Sequence, residues 1–371
     1  MPRARFLRST LVLATFLFVA ANLLFAWAYP LDALGRISAY NVVFPGRERL
    51  PYGERPDLAY NLSLFNLEAM FAAHEAAAPK GDDEFRVILI GDSSTWGFLL
   101  RPEETLGALL DGQKLTANDR RVRFYNLGYP TMSVTKDLLM LEKALHYQPD
   151  LIVWLTTLES LPREKQLASP ILQNNAAALD ELNRRYGLDL DTRHPALVRP
   201  TFWQRTVIGQ RRALADLIRL QAYGVLWAAT GIDQFYPETY EPPQSDLEAG
   251  QDFHGLQPPT LHESDLAWNV LAAGVQMAGE VPILFVNEPI YRSQGQNSDI
   301  RYNFFYPRWA YDAYRQQFSA RCQAHNWRCL DAWDLVPAGE FSNSAIHRTP
   351  AGENLLAGRL GAFLQEWIDE R

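Results

Sequence analysis

The chain has 371 residues, 47% of them hydrophobic and 21% charged, with a net charge of −8. That composition excludes a disordered chain, a collagen and a coiled coil, and an acidic body without a Lys/Arg block excludes a nucleic-acid footprint. Two cysteines, Cys322 and Cys329, with no Cys/His cluster, exclude a disulfide-framework miniprotein and a structural zinc site; no metal and no cofactor is expected.

Arg3, Arg5 and Arg8 precede an uncharged stretch that runs to Pro30. From Leu11 to Tyr29 only Thr15 and Asn22 interrupt the apolar run. At 1.5 Å per residue the run spans roughly 28 Å, close to the ~30 Å hydrocarbon core of a bilayer. The arginines favour a cytoplasmic N-terminus, which places the body outside. Residues 1–30 read as an uncleaved single-pass anchor or as a signal peptide cut at Ala26-Trp27-Ala28. The run exceeds the usual apolar length of a signal peptide, which favours the anchor. Both readings export the body and so permit a disulfide. Cys322 and Cys329 form a bridge or stay as two buried thiols.

Residues 31–84 form a Pro/Gly-punctuated juxtamembrane segment with one predicted helix, about Leu58 to Ala78. Its apolar side carries Leu62, Leu64, Phe65, Leu67, Met70 and Phe71. From residue 85 to 371 strands and helices alternate. Val87 to Ile90 is a continuous apolar run, as in a buried parallel strand. Val122 to Leu127, Leu151 to Leu155, Val281 to Val286 and Arg328 to Leu330 supply four more predicted strands. Helices are predicted near Glu104 to Leu110, Val134 to Tyr147, Asp265 to Met277 and Pro307 to His325. A last helix begins at Thr349-Pro350, a cap followed by proline in the first position. This alternation predicts a three-layer α/β sandwich with a parallel sheet. Residues 160–263 are too long for a connection and read as a largely helical insertion, with an amphipathic helix near Arg211 to Ala229. The insertion is expected to lie over the site or on the membrane face. The aromatic run from Tyr302 to Tyr314 is expected to pack helices rather than to stack sugars.

The first strand runs into Gly91-Asp92-Ser93-Ser94. A serine between a buried strand and a helix presents its hydroxyl at the carboxyl edge of the sheet, where open α/β sheets bind ligands. The backbone N–H groups there can face a developing oxyanion. Asn126-Leu127-Gly128 closes the second strand, where glycine lets a backbone N–H approach a carbonyl. His347 stands just before the last helix, and a nucleophilic serine needs such a base. Asn287-Glu288-Pro289 ends the fourth strand at the same edge, so Asn287 is a candidate for lining the pocket.

These blocks, in this order, resemble the SGNH/GDSL-type hydrolase family over about residues 85 to 367, the insertion apart. The resemblance implies Ser93 as nucleophile, His347 as base, and the N–H groups of Ser93 and Gly128 as oxyanion donors beside Asn126. Two positions depart from the family pattern. Glu159 stands where the family's third block has asparagine, leaving Thr157 as the nearest hydroxyl donor. Asn343 stands where the last block has the aspartate that orients histidine. Asparagine can hold the imidazole but cannot stabilise an imidazolium by charge; in a serine-protease triad that exchange costs about 10⁴ in kcat.

The resemblance implies an exported serine esterase, O-acyltransferase or deacylase, acting on an acyl ester, with a cell-envelope carbohydrate as the analogous substrate. The rival reading is a non-catalytic glycan-binding or envelope-assembly protein on the same fold. The remaining histidines have no metal-ligand spacing.

Overall fold

Runs such as Val87–Ile90 and Leu151–Leu155 are apolar on both faces, so they bury themselves only between two helical layers. The computed structural model describes residues 2–35, 37, 43, 52–55, 65–232 and 236–370. Its strands are Glu84–Gly91 (β1), Thr116–Ala117 (β2), Arg120–Gly128 (β3), Leu151–Thr156 (β4), Ile283–Asn287 (β5) and Arg328–Asp331 (β6). They form one sheet in the order β2-β3-β1-β4-β5-β6. Only β2 is antiparallel. At two residues it is too short to show any period, which is why the sequence does not announce it.

Among the helices, in chain order, are Pro2–Ala28 (α1), Leu67–Ala72 (α2), Ser93–Trp96 (α3), Leu106–Gly112 (α4) and Val134–Ala144 (α5). Ala176–Tyr186 (α6), Arg211–Thr230 (α7), Trp268–Ala278 (α8), Arg308–Ala324 (α9) and Pro350–Asp369 (α10) follow. Side chains alternate across the sheet. Val87, Leu89, Val153 and Val286 meet Leu106 and Leu110 of α4 and Leu356, Leu360 and Leu364 of α10. Each such leucine contributes about 1.5–3 kcal/mol when fully buried. On the opposite face Trp154 packs against α8, close enough that a Cβ at Gly274 would lie 2.4 Å from the indole. Helices on both faces make the expected three-layer α/β sandwich.

Chain order and space diverge at β1. β3 lies on one side of it and β4 on the other. The carboxyl end of β1 is therefore a topological switch point, where the flanking loops part and leave a crevice. Register aligns the strand ends: Gly91 pairs with Gly128, Thr156 with Asn287, and Asn287 with Asp331. Gly128 and Asn287 end strands, Asn126 lies two residues before the end of β3, Ser93, Thr157 and Glu159 follow β1 and β4, and Asn343 and His347 lie in the loop before α10.

The disulfide forms. Cys322 and Cys329, 6.2 Å apart at Cα, tie the last turn of α9 to β6. The aromatic run packs as expected, with Tyr306, Tyr311 and Tyr314 fully buried. The long helix predicted from Leu58 is shorter where it can be seen. The Asn66 side chain accepts from the Ala69 N–H and starts α2 at Leu67. Residues 58–64, with Leu62 and Leu64, lie outside the described residues.

Contacts divide the chain into two units. One comprises Met1–His74 with Leu197–Gln234, the other Glu75–Ala196 with Phe235–Arg371. The segment read as one insertion, 160–263, is thus shared between them. Within the first unit, Phe6–Ala28 is long and apolar enough to cross a membrane. Its Asn22 side chain accepts from the Ile208 N–H at 3.2 Å, and the Arg205 guanidinium lies 5.2 Å from the Tyr29 ring.

Candidate active site

All the residues of the site belong to the second unit. β1 ends at Gly91, and the Asp92 side chain caps the next turn by accepting from the Ser94 N–H at 2.8 Å. α3 is only one turn long, because Gly97 terminates it with φ +86. Ser93 takes its first position, so its N–H has no intrahelical acceptor.

The loop before α10 brings His347 to this serine. The Ser93 Oγ lies 2.8 Å from His347 Nε2, and His347 Nδ1 lies 3.0 Å from Asn343 Oδ1. In the tautomer this row requires, Nδ1–H donates to the Asn343 carbonyl and Nε2 accepts from the Ser93 hydroxyl. Phe98 covers the imidazole with ring centroids 4.8 Å apart. Burial pushes the imidazole down to about 4; the Asp92 charge opposes the shift and Arg348 adds to it. An aspartate at 343 would have raised it.

A buried polar cluster supports the row from behind. Ser94 Oγ donates to the Glu288 carboxyl, and Arg348, fully buried, links Glu288 to Glu353. Burial, then the nearby Asp92 charge, pushes the Glu288 carboxyl well above its ordinary range. Arg348 offsets only part of this. A second cluster grips the turn itself. Lys136, with no exposure, donates to the Gly91 carbonyl at 2.6 Å and pairs with Asp137, which accepts from the Trp154 Nε1–H at 3.1 Å. Sequence reading missed both clusters. Their signal was there: Lys136-Asp137 runs straight into the apolar stretch Leu138 to Leu141, and Arg348 follows the histidine directly.

Other expected site residues turn out differently. The Gly128 N–H donates to Asn126 Oδ1 at 2.9 Å, so here it is engaged and not an open oxyanion donor. Asn126 works as a strut, its Nδ2 donating to the Thr95 carbonyl at 2.7 Å and so joining the end of β3 to the serine turn. Glycine at 128 is needed for close approach, since a Cβ would lie 2.3 Å from the Trp96 nitrogen. Gly128→Ala is expected to cost about 1–3 kcal/mol by overpacking. It should lower both the urea midpoint and ester turnover, because the atoms displaced belong to the serine turn. An unchanged midpoint would contradict this packing.

Thr157 does not present its hydroxyl to the site; it is fully buried, with Oγ1 3.0 Å from the Tyr306 hydroxyl. Glu159 is no oxyanion donor either. Its carboxylate pairs with Lys165 and with His254 Nε2 at 2.9 Å. His254 also meets Glu164 at 2.9 Å, and the Glu159 hydrogen bond raises its pKa against the opposing effect of burial. Asn287 does not line a pocket. It is fully buried, donating to Asp331 at 2.7 Å and accepting from Tyr311 and Tyr314 at 3.2 Å each. The register that puts it in line with Thr156 also puts it under α9, whose tyrosines consume its oxygen. Among the described residues no group of His, Cys, Asp and Glu is arranged to hold a metal ion.

No protein-family model matches the sequence, and no curated protein matches it significantly. Solved structures do resemble the fold at low similarity. A member of the lipolytic protein G-D-S-L family from Veillonella parvula DSM 2008 is 12% identical, with a TM-score of 0.34 over 75% of this chain and 96% of that one. A carbohydrate acetylesterase family member from Sinorhizobium meliloti is 13% identical, with a TM-score of 0.35 over 76% of this chain and 99% of that one. An aryl esterase from M. smegmatis is 13% identical, with a TM-score of 0.35 over 76% and 98%.

Proposed function

We propose that the chain is a serine esterase or O-acyltransferase that works through a Ser93–His347 dyad held in place by Asn343. The observation that carries this is the continuous row from Ser93 Oγ through the imidazole to Asn343 Oδ1, at 2.8 and 3.0 Å. His347 Nε2 takes the hydroxyl proton as Ser93 Oγ attacks the ester carbonyl. The resulting oxyanion meets the Ser93 N–H. The Gly128 N–H joins it when Asn126 Oδ1 lets go. His347 returns the proton to the departing alcohol, leaving an acyl-enzyme. Water then gives an esterase, and a sugar hydroxyl gives a transferase.

The body works outside the membrane in this proposal, anchored by α1. Arg3, Arg5 and Arg8 before the apolar run support that orientation. The Cys322–Cys329 disulfide supports an oxidising compartment. An ester of a cell-envelope carbohydrate is the substrate class that fits such a location.

The test is a pH profile of kcat/KM on a neutral aryl ester. A base must be unprotonated, so activity is present above the His347 pKa and is lost as pH falls through it. With the imidazole at about 4, the acid limb should have its midpoint near pH 4 rather than near the ordinary histidine value. In Asn343→Asp the new carboxylate should raise that midpoint by about 1–3 units. It should also raise the plateau, because the imidazolium formed in the transition state gains a counter-charge. An acid limb that does not move in Asn343→Asp would show that residue 343 does not face the working imidazole. Turnover at the water rate in both proteins, with the fold intact, would leave the non-catalytic reading.

A further inference from the structure

A cavity of about 320 Å³ opens on the carboxyl edge of the sheet, between the loop after β5 and the loop after β6. Arg292, Ser293, Tyr302, Arg308 and Trp333 are among its walls. Two of these are arginines, in a chain whose net charge is −8. Neither Arg292 nor Arg308 makes an ion pair among the described residues. The Arg292 guanidinium lies 5.5 Å from the Trp333 ring and donates Nη2–H to the Asp334 carbonyl at 3.1 Å, while its Nε is buried without a partner. The Arg308 guanidinium lies 4.3 Å from the Tyr302 ring and donates Nε–H to the Ser298 carbonyl at 2.8 Å.

Two nearby carboxylates have partners of their own. Asp331 pairs with Arg315, and Asp312 accepts from the Tyr302 hydroxyl at 2.8 Å. Aromatic rings and carbonyls therefore hold the two forks in place, and most of their donors stay uncommitted. A guanidinium has five donors in a planar fork that matches carboxylate and phosphate oxygens two at a time. Aromatic support also orders the long side chains in advance, so an anion bound there loses less entropy in ordering them.

The loop that carries Arg292 is also joined to the loop that carries His347. The Ile290 N–H donates to the Trp333 carbonyl at 3.0 Å, and the Tyr291 N–H donates to the Ala345 carbonyl at 2.7 Å. Ala345 precedes His347 by two residues, at most about 7 Å of extended chain. One polymer can therefore reach both places.

We propose that Arg292 and Arg308 form a subsite for a carboxylate or phosphate group carried by the substrate, making that substrate an anionic, ester-bearing polymer. The role as a substrate subsite rests on the esterase reading; the binding of the anion does not. Calorimetry on the full-length chain in detergent tests it with three probes: an oligogalacturonate for carboxylate, an oligomer of glycerol phosphate for phosphate, and maltohexaose as the neutral control. At least one anionic probe should bind tighter than maltohexaose, and the preference should shrink with added salt. Arg292→Gln with Arg308→Gln should weaken that probe by about tenfold or more, with a melting temperature reporting the fold. Should the double glutamine variant not fold, Arg292→Lys with Arg308→Lys keeps the charge, loses the fork and should still weaken binding severalfold. Equal binding of all three probes, or affinity unchanged in a folded variant, overturns the proposal. Ser93→Ala separates the two readings: it should keep anion binding while losing ester turnover. If that variant keeps its turnover, the esterase reading fails and the binding result stands by itself.

Discussion

Ser93→Ala is expected to lower turnover of an aryl ester by on the order of 10³-fold or more, to a residue set by binding and oxyanion contacts alone. The same variant should escape labelling by a phosphonate probe that marks the unaltered chain. Both results follow from one geometry, since Oγ is the atom within 2.8 Å of the imidazole nitrogen that accepts its proton. The fold should tolerate the change. Ser93 begins a one-turn helix whose cap is Asp92, and alanine leaves that cap intact. A His347→Ala variant should fall by a similar factor, and the double variant should fall little further, because a dyad fails as a unit. Equal labelling of Ser93→Ala and the unaltered chain would place the nucleophile elsewhere.

The second large effect is on stability. Arg348 is fully buried, with Glu353 and Glu288 as its charged partners. Arg348→Met should cost about 3–5 kcal/mol, since it strands two buried carboxyls, Glu353 losing its guanidinium partner and Glu288 keeping the Ser94 hydroxyl. Urea unfolding should show the loss as a lower midpoint with an unchanged slope. Adding Glu353→Gln to Arg348→Met should recover part of it by removing one stranded charge. A midpoint equal to that of the unaltered chain would mean that the cluster contributes nothing. The fall in ester turnover should exceed what unfolding explains, because Ser94 and Glu288 buttress the turn that carries Ser93.

The backbone was more legible in the sequence than the side-chain partners were. Continuous apolar runs such as Leu151–Leu155 report burial on both faces, and a parallel sheet with two helical layers follows from that alone. Gly91-Asp92-Ser93 after a strand, and His347 before a capped helix, locate both ends of the row because backbone geometry determines them. The remaining positions depend on residues distant in sequence. Thr157 loses its hydroxyl to Tyr306, 149 residues away. Glu159 is claimed by His254, 95 residues away. Asn287 is consumed by two tyrosines of α9, and nothing in its own neighbourhood foretells it. Gly128 differs for a local reason: a rotamer of Asn126, two residues earlier, takes up the N–H. Pattern reading sees the spacing of such residues and not which partner arrives first.

The hydrogen bond between Ile208 and Asn22 joins residues 186 apart in sequence. On a ribosome adding 5–20 residues per second, that interval lasts roughly ten to forty seconds. Each contact unit is assembled from two separated stretches, Met1–His74 with Leu197–Gln234 and Glu75–Ala196 with Phe235–Arg371. Neither can close when its first stretch emerges. A nascent chain stopped after residue 234 would hold both pieces of the first unit but only half of the second, without β5, β6 or α10. Strands β1, β3 and β4 would meanwhile present an open sheet edge at β4 and an uncovered apolar face, the kind of surface that holding chaperones recognise. Birth of this protein is therefore a waiting problem, and its most vulnerable interval falls between synthesis of β4 and arrival of β5.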